Sequence, residues 1–277
     1  MSFFDIPVST QTYIVHSNII SVDLMALSDV FEPTDIFINM TYKKVFKGTP
    51  RVIKRKKKKF VRTFLNCVSI SVLVKDKHIN VKVFNNGVFQ ITGCKRREHA
   101  DDCIKLIINL INQYGCYQHK ESQIIVYLVS VMRNIDFDLA FNINREALAT
   151  FVHDNTDYKV PPLTKGYMGI KIKIPLENVD DLLVNCISFD KNTIEIIDEF
   201  QLSYKTLMTD IVKDLKKLRK ERFISISVFQ NGKVLMSGID EVYQLKYYNW
   251  FAKFINDNKE HVWTPPISKS KKTFKIQ

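Results

Sequence analysis

Three cysteines and two histidines that lie close together in the sequence are of the types that bind zinc: Cys94, His99, Cys103, Cys116 and His119. Structural zinc sites are usually built from paired Cys-x2-Cys knuckles, and no such pair occurs among these residues. Cys103 falls on the apolar side of a predicted helix, where buried thiols are ordinary core residues. The sequence therefore predicts neither a metal site nor a cofactor.

Acidic residues form a second group with potential chemistry: Glu177, Asp180, Asp181, Asp190, Glu195, Asp198 and Glu199. Carboxylates bind the metal ions of many nucleases, but scattered carboxylates facing solvent are far more common than a two-metal site. The sequence contains no glycine-rich phosphate loop, nucleophile elbow or His-Glu-x-x-His motif. A nucleic-acid-processing enzyme is therefore the weakest hypothesis, and we expect a protein without enzymatic activity.

Cationic side chains are concentrated in one loop and one tail. The chain has a net charge of +12, and eleven Lys or Arg with no acid lie between Lys43 and Arg62. This loop includes the run Lys54, Arg55, Lys56, Lys57, Lys58 and Lys59, and four more lysines follow Pro265. The rest of the chain sums to −3. We expect the loop and tail to supply most of the salt-dependent, nonspecific affinity for nucleic acid; a solubility role and nuclear import are the alternatives.

The length and composition favour a globular protein. The 277 residues are 45% hydrophobic, which is enough to build a sizeable core. The longest apolar run is about half of the roughly 18 residues that a membrane helix needs. The first residues lack the features of a secretory signal, and the five cysteines are irregularly spaced. We therefore expect no membrane span and a reducing compartment.

The strongest pattern in the sequence is an internal repeat. Residues 81–93 match residues 226–238 at a constant offset of 145. In both copies apolar residues alternate on each side of an Asn-Gly pair, which predicts a β-hairpin with a two-residue type I′ turn. An amphipathic helix is predicted after each hairpin, over 98–112 and 241–256.

Matching elements are predicted upstream of each hairpin. These are strands over 14–22 and 124–141, helices over 23–31 and 144–153, and strands over 64–74 and 167–174. Such halves predict an α+β fold in which two pseudo-symmetric repeats form one curved antiparallel sheet backed by helices. The expected parts are a first repeat (1–118, with the basic loop 43–62), a second repeat (119–264, with an insertion at 175–221) and a basic tail (265–277). Function is expected on the sheet face without helices.

A strand, an Asn-Gly hairpin, Thr-Gly or Ser-Gly and a long helix, all present twice, resemble the TATA-box-binding protein family. The composition, which is rich in Lys, Ile and Asn, is most similar to that of the divergent members found in large DNA viruses. The resemblance covers about 14–112 and 124–256 and is most specific at the hairpins. It implies a saddle whose underside enters the minor groove of DNA with amides and hydroxyls among apolar side chains, and with aromatic wedges between base steps.

The resemblance implies particular contact residues. Its wedges fall on Phe64 and Phe84 in the first half and on Tyr167 and Phe229 in the second. The other implied groove residues are Asn18, Ile20, Gln90, Thr92, Asn134, Leu235 and Ser237. Lys95 and Lys233 match phosphate contacts, and Lys82, which stands where the family usually has an apolar residue, could also reach a phosphate.

Several positions depart from the family pattern. Asp136 shares a strand face with Asn134, and a carboxylate pointing at DNA is unfavourable. Ser227 offers less contact than an apolar residue, and Val88 and Asp240 stand where phosphate contacts are expected. These departures favour an alternative in which the fold is kept as an interaction scaffold that no longer bends DNA.

The insertion contains apolar residues at helical spacing, which are Leu207, Met208, Ile211, Leu215 and Leu218. The polar side of this predicted helix ends in Lys213, Lys216, Lys217, Arg219, Lys220 and Arg222. Packing against the body of the protein and docking of a transcription partner are both compatible with this pattern.

The function expected from these features is that of a TATA-binding-protein-like initiation factor that binds and bends double-stranded DNA. The expected partners are AT-rich promoter DNA, bound by a monomer, and transcription initiation proteins or RNA polymerase on the helical side; no membrane partner is expected. The expected location is intracellular, in the host nucleus or a cytoplasmic viral factory, with packaging into virions as a further alternative.

Overall fold

The computed structural model describes residues 2–49, 65–162 and 169–264. The predicted contacts Phe64 and Tyr167, the lysine-rich run at 54–59 and the basic tail lie outside these ranges. The strands of the described residues are β1 (Val8–Ser17), β2 (Ser21–Val22), β3 (Phe37–Tyr42), β4 (Val45–Gly48), β5 (Cys67–Val74), β6 (Lys77–Phe84), β7 (Phe89–Cys94), β8 (Tyr117–Gln118), β9 (Gln123–Asp138), β10 (Asn142–Ile143), β11 (Gly169–Pro175), β12 (Leu183–Asp190), β13 (Ile196–Ser203), β14 (Phe223–Phe229), β15 (Lys233–Gly238) and β16 (Trp263–Thr264).

The α-helices of the same residues are α1 (Leu24–Val30), α2 (Arg97–Gln113), α3 (Arg145–Asn155), α4 (Tyr204–Thr206), α5 (Leu215–Leu218), α6 (Glu241–Asp257) and α7 (Lys259–Val262). Single 3-10 turns occur at Phe3–Asp5 and Val179–Asp181, and a π-helical turn at Leu207–Ile211. The two long helices predicted after the hairpins are confirmed as α2 and α6. Both begin and end within two residues of the predicted bounds.

The chain divides into two compact units. The larger contains Val8–Arg133 and Glu177–Glu221; the smaller contains the described residues of Met1–Pro7, Asn134–Leu176 and Arg222–Gln277. These units do not coincide with the two repeats of the sequence. The insertion lies in the unit of the first repeat, because β12 pairs with the first part of β9 over Gln123–Leu128.

In each unit an antiparallel sheet is backed by helices, as expected of an α+β fold. The strand order of the larger unit is β9–β1–β7–β6–β5–β3–β4, with β12 also paired to β9 and β13 paired to β12. In the smaller unit the order is β11–β14–β15. Helix α2 buries Ile104, Ile107 and Ile108 against the sheet of the larger unit. In the smaller unit, Nε2 of Gln244 in α6 donates a hydrogen bond of 3.3 Å to the carbonyl of Met236 in β15.

Short polar residues begin several helices. Asp23 accepts hydrogen bonds from the amides of Met25 and Ala26, and Asn144 accepts one from the amide of Ala147. Asp240 accepts one from Val242 at the start of α6. Side-chain oxygens at this position satisfy amides that have no partner within the helix. Asp240 is thus an N-cap, which accounts for its departure from the family pattern without reference to DNA.

The turns of the two repeated hairpins differ from the prediction. Gly87 donates to the carbonyl of Phe84, and the Phe84 amide donates to Val88, so the loop holds three residues instead of two. Gly87 has φ of 70° and Gly232 has φ of 80°, but neither Asn86 nor Asn231 has positive φ. This is the type I turn followed by a left-handed glycine. A two-residue turn with positive φ at both positions occurs instead at Lys75 and Asp76, between β5 and β6.

The predicted helix of the insertion is broken. Residues 204–220, which we call the cover segment, form α4, the π-helical turn and α5, and Lys213 between them has φ of 54°. A left-handed residue cannot continue a right-handed helix. Of the five predicted apolar residues, Leu207 and Met208 are buried with Tyr204 against Tyr127 and Val129 of β9, and Leu218 packs beside them. Ile211 and Leu215 are instead 38% and 49% exposed. Packing against the body, one of the two predicted roles, is therefore confirmed.

No helix within the described ranges has both the length and the apolar character required to cross a bilayer.

Candidate nucleic-acid interface

The sheet of the larger unit has one face buried under α2 and one face without that helix, which we call its open face. Strand register shows which side chains share the open face. Gln90 of β7 lies opposite both Ile14 of β1 and Lys82 of β6, whereas Phe89 and Ile91 are fully buried in the core with α2. Because side chains alternate along a strand, Gln90 and Thr92 point away from the helix.

Polar side chains cross this open face in two rows. The first row runs through Thr12, Thr92, Asn80, Ser71 and Asn39, each opposite the next on a neighbouring strand. The second row runs through Ile14, Gln90, Lys82, Ser69 and Thr41. The two rows are joined by a hydrogen bond of 2.9 Å from the Asn80 amide to the Ser69 hydroxyl. The face therefore carries hydroxyls and amides with one cation.

The smaller unit repeats this arrangement on the face of its sheet opposite α6. One row runs through Ser237, Ser225 and Lys173, and the next through Leu235, Ser227 and Lys171. Thr92 and Gln90 in the larger unit thus correspond to Ser237 and Leu235 at the offset of 145. Ser227 is only 5% exposed between its neighbours, so it has little surface to offer a ligand.

An aromatic residue ends the hairpin strand in both units. Phe84 lies opposite Cys67, and Phe229 lies opposite Gly169. A Cβ added to Gly169 would lie 3.1 Å from Cδ1 of Phe229, so the missing side chain leaves room for the ring. Both phenylalanines are half-buried on the open faces. The structure thus brings Phe84 together with Lys82, Gln90 and Thr92, and Phe229 together with Leu235 and Ser237.

Four lysines lie at or beside these faces. Two of them were predicted from the sequence and two were not. Lys95 and Lys233, predicted from the resemblance, are exposed at the end of β7 and the start of β15. Lys171 and Lys173 were not predicted. They alternate with Ile170, Ile172 and Ile174 along β11, and this period of two could have revealed them.

Asn18 and Ile20, implied as groove contacts by the resemblance, follow the end of β1 in the connection to β2. Asn18 follows β1, its Nδ2 donates to Glu121 Oε2 at 2.8 Å and to the Gln123 carbonyl at 3.0 Å, and its Oδ1 accepts from the Ile125 amide at 2.9 Å. Its amide therefore fastens the end of β1 to the start of β9. Ile20 is 49% exposed in the connection to β2.

Asn134 lies inside β9, where Ile135 is buried and Phe137 contacts Phe251 of α6 at a ring distance of 6.2 Å. Alternation places Asn134 and Asp136 on the open face of the smaller unit. Asp136 also lines a cleft of about 670 Å³ with Phe229, Lys233 and Leu235. A carboxylate therefore stands beside the predicted groove residues of this unit.

The cover segment lies on the open face of the larger unit. Ile124, Val126 and Leu128 of β9 belong to the core with α2, whereas Tyr127 and Val129 alternate to the other side and pack against the cover segment. Strand β1 is closed as well, since His16 is only 8% exposed. Burial lowers the pKa of His16 to about 4; the charge of Lys217 lowers it further, and Asp214 opposes the shift. The cover segment thus occupies the part of the open face formed by β1 and β9.

The five cysteines are free and buried. Burial raises the pKa of the Cys94 thiol to about 12 and that of the Cys186 thiol to about 11, and it raises that of Cys103 as well. Within the described residues no three His, Cys, Asp or Glu side chains are grouped as metal ligands would be.

Comparisons with known proteins agree with the architecture. No known family profile matches the sequence. Uncharacterized protein 335L of Invertebrate iridescent virus 6 is 26% identical over 247 residues, which cover 83% of this chain and 70% of that protein. A TATA-box-binding protein-like protein of Acanthamoeba polyphaga mimivirus is 29% identical over 134 residues, 43% of this chain and 36% of that protein.

A solved structure shows the fold. The TATA-binding protein (TBP) of Methanococcus jannaschii matches 91% of this chain and 99% of its own with a TM-score of 0.51, at 14% identity. The α+β fold implied by the resemblance is therefore that of TATA-binding proteins, and the two similar sequences reported above are viral proteins.

Proposed function

We propose that this chain, which has the fold of TATA-binding proteins and resembles viral relatives, binds duplex DNA with its open faces and serves transcription initiation. The observation that carries the proposal is the doubled arrangement of polar rows with a phenylalanine at the end of each hairpin strand. Phe84 and Phe229 are the corresponding wedges, and the rows beside them include Gln90, Thr92 and Ser237.

The chemistry of the rows suits a minor groove. At A·T pairs this groove presents mainly acceptors, so a surface that reads it needs few donors set among apolar groups. The open faces offer the hydroxyls of Thr92 and Ser237 and the amide of Gln90, with Ile14 and Leu235 in the same rows. AT-rich promoter DNA is accordingly the proposed ligand. Transcription proteins or RNA polymerase would then contact the helical side.

The test compares two matched pairs of substitutions. Gln90→Ala/Ser237→Ala removes one polar group from each open face, and Asn109→Ala/Asn249→Ala removes one exposed amide from each of α2 and α6. Affinity for an AT-rich duplex should fall at least about tenfold in the first pair, since a direct base contact contributes roughly 1–3 kcal/mol, and should be unchanged in the second. Absence of duplex binding by the wild type, or an equal loss in both pairs, would contradict the proposal.

A second candidate function is favoured by the cover segment. It closes the first part of β9 and the neighbouring β1, so these two strands of the larger unit do not offer a free surface to a groove. Asp136 adds a carboxylate to the face of the smaller unit. A scaffold of a transcription complex that keeps the fold without bending DNA would have these features, and bending measurements separate it from the first candidate.

A further inference from the structure

The cover segment is too well packed to act as a lid. Tyr204, Leu207 and Met208 are at most 4% exposed. Lifting the segment would return these side chains to water, and their burial favours the folded position of the segment. Duplex DNA would therefore meet the larger unit with the cover segment in place.

The outer side of the cover segment is basic. Lys213, Lys216, Arg219 and Lys220 are exposed, and within the described part of the chain none of the four forms an ion pair. Lys217 is different, because it pairs with Asp214 at 3.3 Å. Four uncompensated cations therefore project from the element that lies on the open face of the larger unit.

These cations lie beside the polar rows. The segment packs on Tyr127 and Val129 of β9, β1 lies next to β9 in the sheet, and Ile14 of β1 lies directly opposite Gln90. Neighbouring strands are about 4.8 Å apart and residues rise about 3.4 Å along a strand. The minor groove is about 6 Å wide between its phosphate walls. A duplex seated on the rows would therefore bring one phosphate strand against the cover segment.

We propose that Lys213, Lys216, Arg219 and Lys220 form a phosphate-contact surface for duplex DNA, in place of the strands that the cover segment closes. This inference rests on the proposed function, because it assumes a duplex seated on the open faces. Charge complementarity is its basis: the four cations have no acidic partner among the described residues, and the DNA backbone is a dense row of anions. The insertion then works as an added DNA-binding element.

The test measures the salt dependence of duplex affinity with the full chain. The variant Lys213→Gln/Lys216→Gln/Arg219→Gln/Lys220→Gln removes the four cations. A control, Lys105→Gln/Lys246→Gln/Lys253→Gln/Lys259→Gln, removes the same charge from exposed lysines of α2, α6 and α7. Each lost phosphate contact lowers the slope of log affinity against log salt by about 0.9. We expect a slope reduced by about three to four units in the first variant and a much smaller change in the control.

The outcomes separate this inference from the proposed function. If the wild type does not bind duplex DNA, the proposed function fails. If the wild type binds and Gln90→Ala/Ser237→Ala weakens binding, but the cover variant keeps the slope of the control, only this inference fails. Tighter binding by the cover variant would show that the segment obstructs DNA, which also overturns it. Equal melting temperatures of the two charge variants show that folding does not cause the difference.

Discussion

Gly87 lies so close to Ile19 that a Cβ on the glycine would stand 2.3 Å from the Ile19 carbonyl oxygen. Gly232 has the same relationship to Phe141 in the other unit, at 2.2 Å. In both units the hairpin turn packs against the connection that leads from the first long strand into a helix. The glycine of each repeated Asn-Gly pair is therefore required by this packing, whatever ligand the open face binds.

Gly87→Ala should destabilise the protein by about 2 kcal/mol or more, because it combines a left-handed φ with a backbone clash. Urea unfolding monitored by circular dichroism measures the change. Gly115→Ala is the matched control, since Gly115 has φ of 60° but no atom within 4 Å of the added Cβ. It should cost only about 1 kcal/mol. Equal losses of stability in the two variants would show that the close approach of Gly87 to Ile19 adds nothing to the cost of the substitution.

Asp240→Ala should lower the free energy of unfolding by about 0.5–2 kcal/mol, because the Val242 amide loses its cap. Affinity for duplex DNA should not fall, since this carboxylate is engaged with the helix and repels phosphate. Chemical denaturation and duplex titration check the two halves of the prediction. Unchanged stability would mean that the hydrogen bond at the start of α6 contributes nothing.

Much of the fold could be predicted because its signals are local. Apolar periodicity defined α2 and α6, and the two hairpins follow from alternation around Asn86-Gly87 and Asn231-Gly232. The type of turn was predicted incorrectly because a glycine also suits the left-handed position of a three-residue loop, and the sequence pattern does not separate the two turns. The hydrogen bonds of Asn18 could not be predicted for a similar reason, since its partners Glu121 and Ile125 lie more than 100 residues away.

The cover segment shows what a pattern of apolar residues leaves undecided. Helical spacing from Leu207 to Leu218 indicated a buried side but not the surface that buries it. That surface is set by β12 pairing with β9, a contact that no local signal carries. The alternation of Lys171 and Lys173 with isoleucines along β11 is, by contrast, a local signal that the sequence carries.

Met208→Ala should destabilise the larger unit by about 2–5 kcal/mol, because the side chain is 1% exposed and its removal leaves a cavity. Ile211→Ala, at a position 38% exposed, is the control and should cost less than about 1 kcal/mol. Thermal unfolding compares them. If Met208→Ala left stability unchanged while raising DNA affinity, the cover segment would be a displaceable lid and not part of the core.

The pH dependence of stability should reveal the buried His16. Its pKa is about 4 in the folded protein and near 6.5 in the unfolded chain, so between these values the unfolded state binds more protons. Stability should therefore fall as the pH is lowered from about 6.5 to 4, by up to about 3 kcal/mol. His16→Gln should lose this part of the dependence, and His153→Gln, at an exposed position, should retain it. Identical pH profiles in wild type and His16→Gln would mean that His16 is protonated in the native state.

DNA bending by wild type and by Phe84→Ala/Phe229→Ala tests the central claim most directly. Fluorescence energy transfer between the ends of an AT-rich duplex reports bending, and titration reports affinity in the same sample. Phe254→Ala, which changes a ring on α6 that stacks with Trp250, is the control. If the open faces insert wedges, the wild type and the control bend the duplex and the double variant loses both bending and affinity. A wild type that binds the duplex without bending it, or a double variant that bends the duplex as well as the wild type, would contradict this account. Either result would favour the interaction scaffold instead.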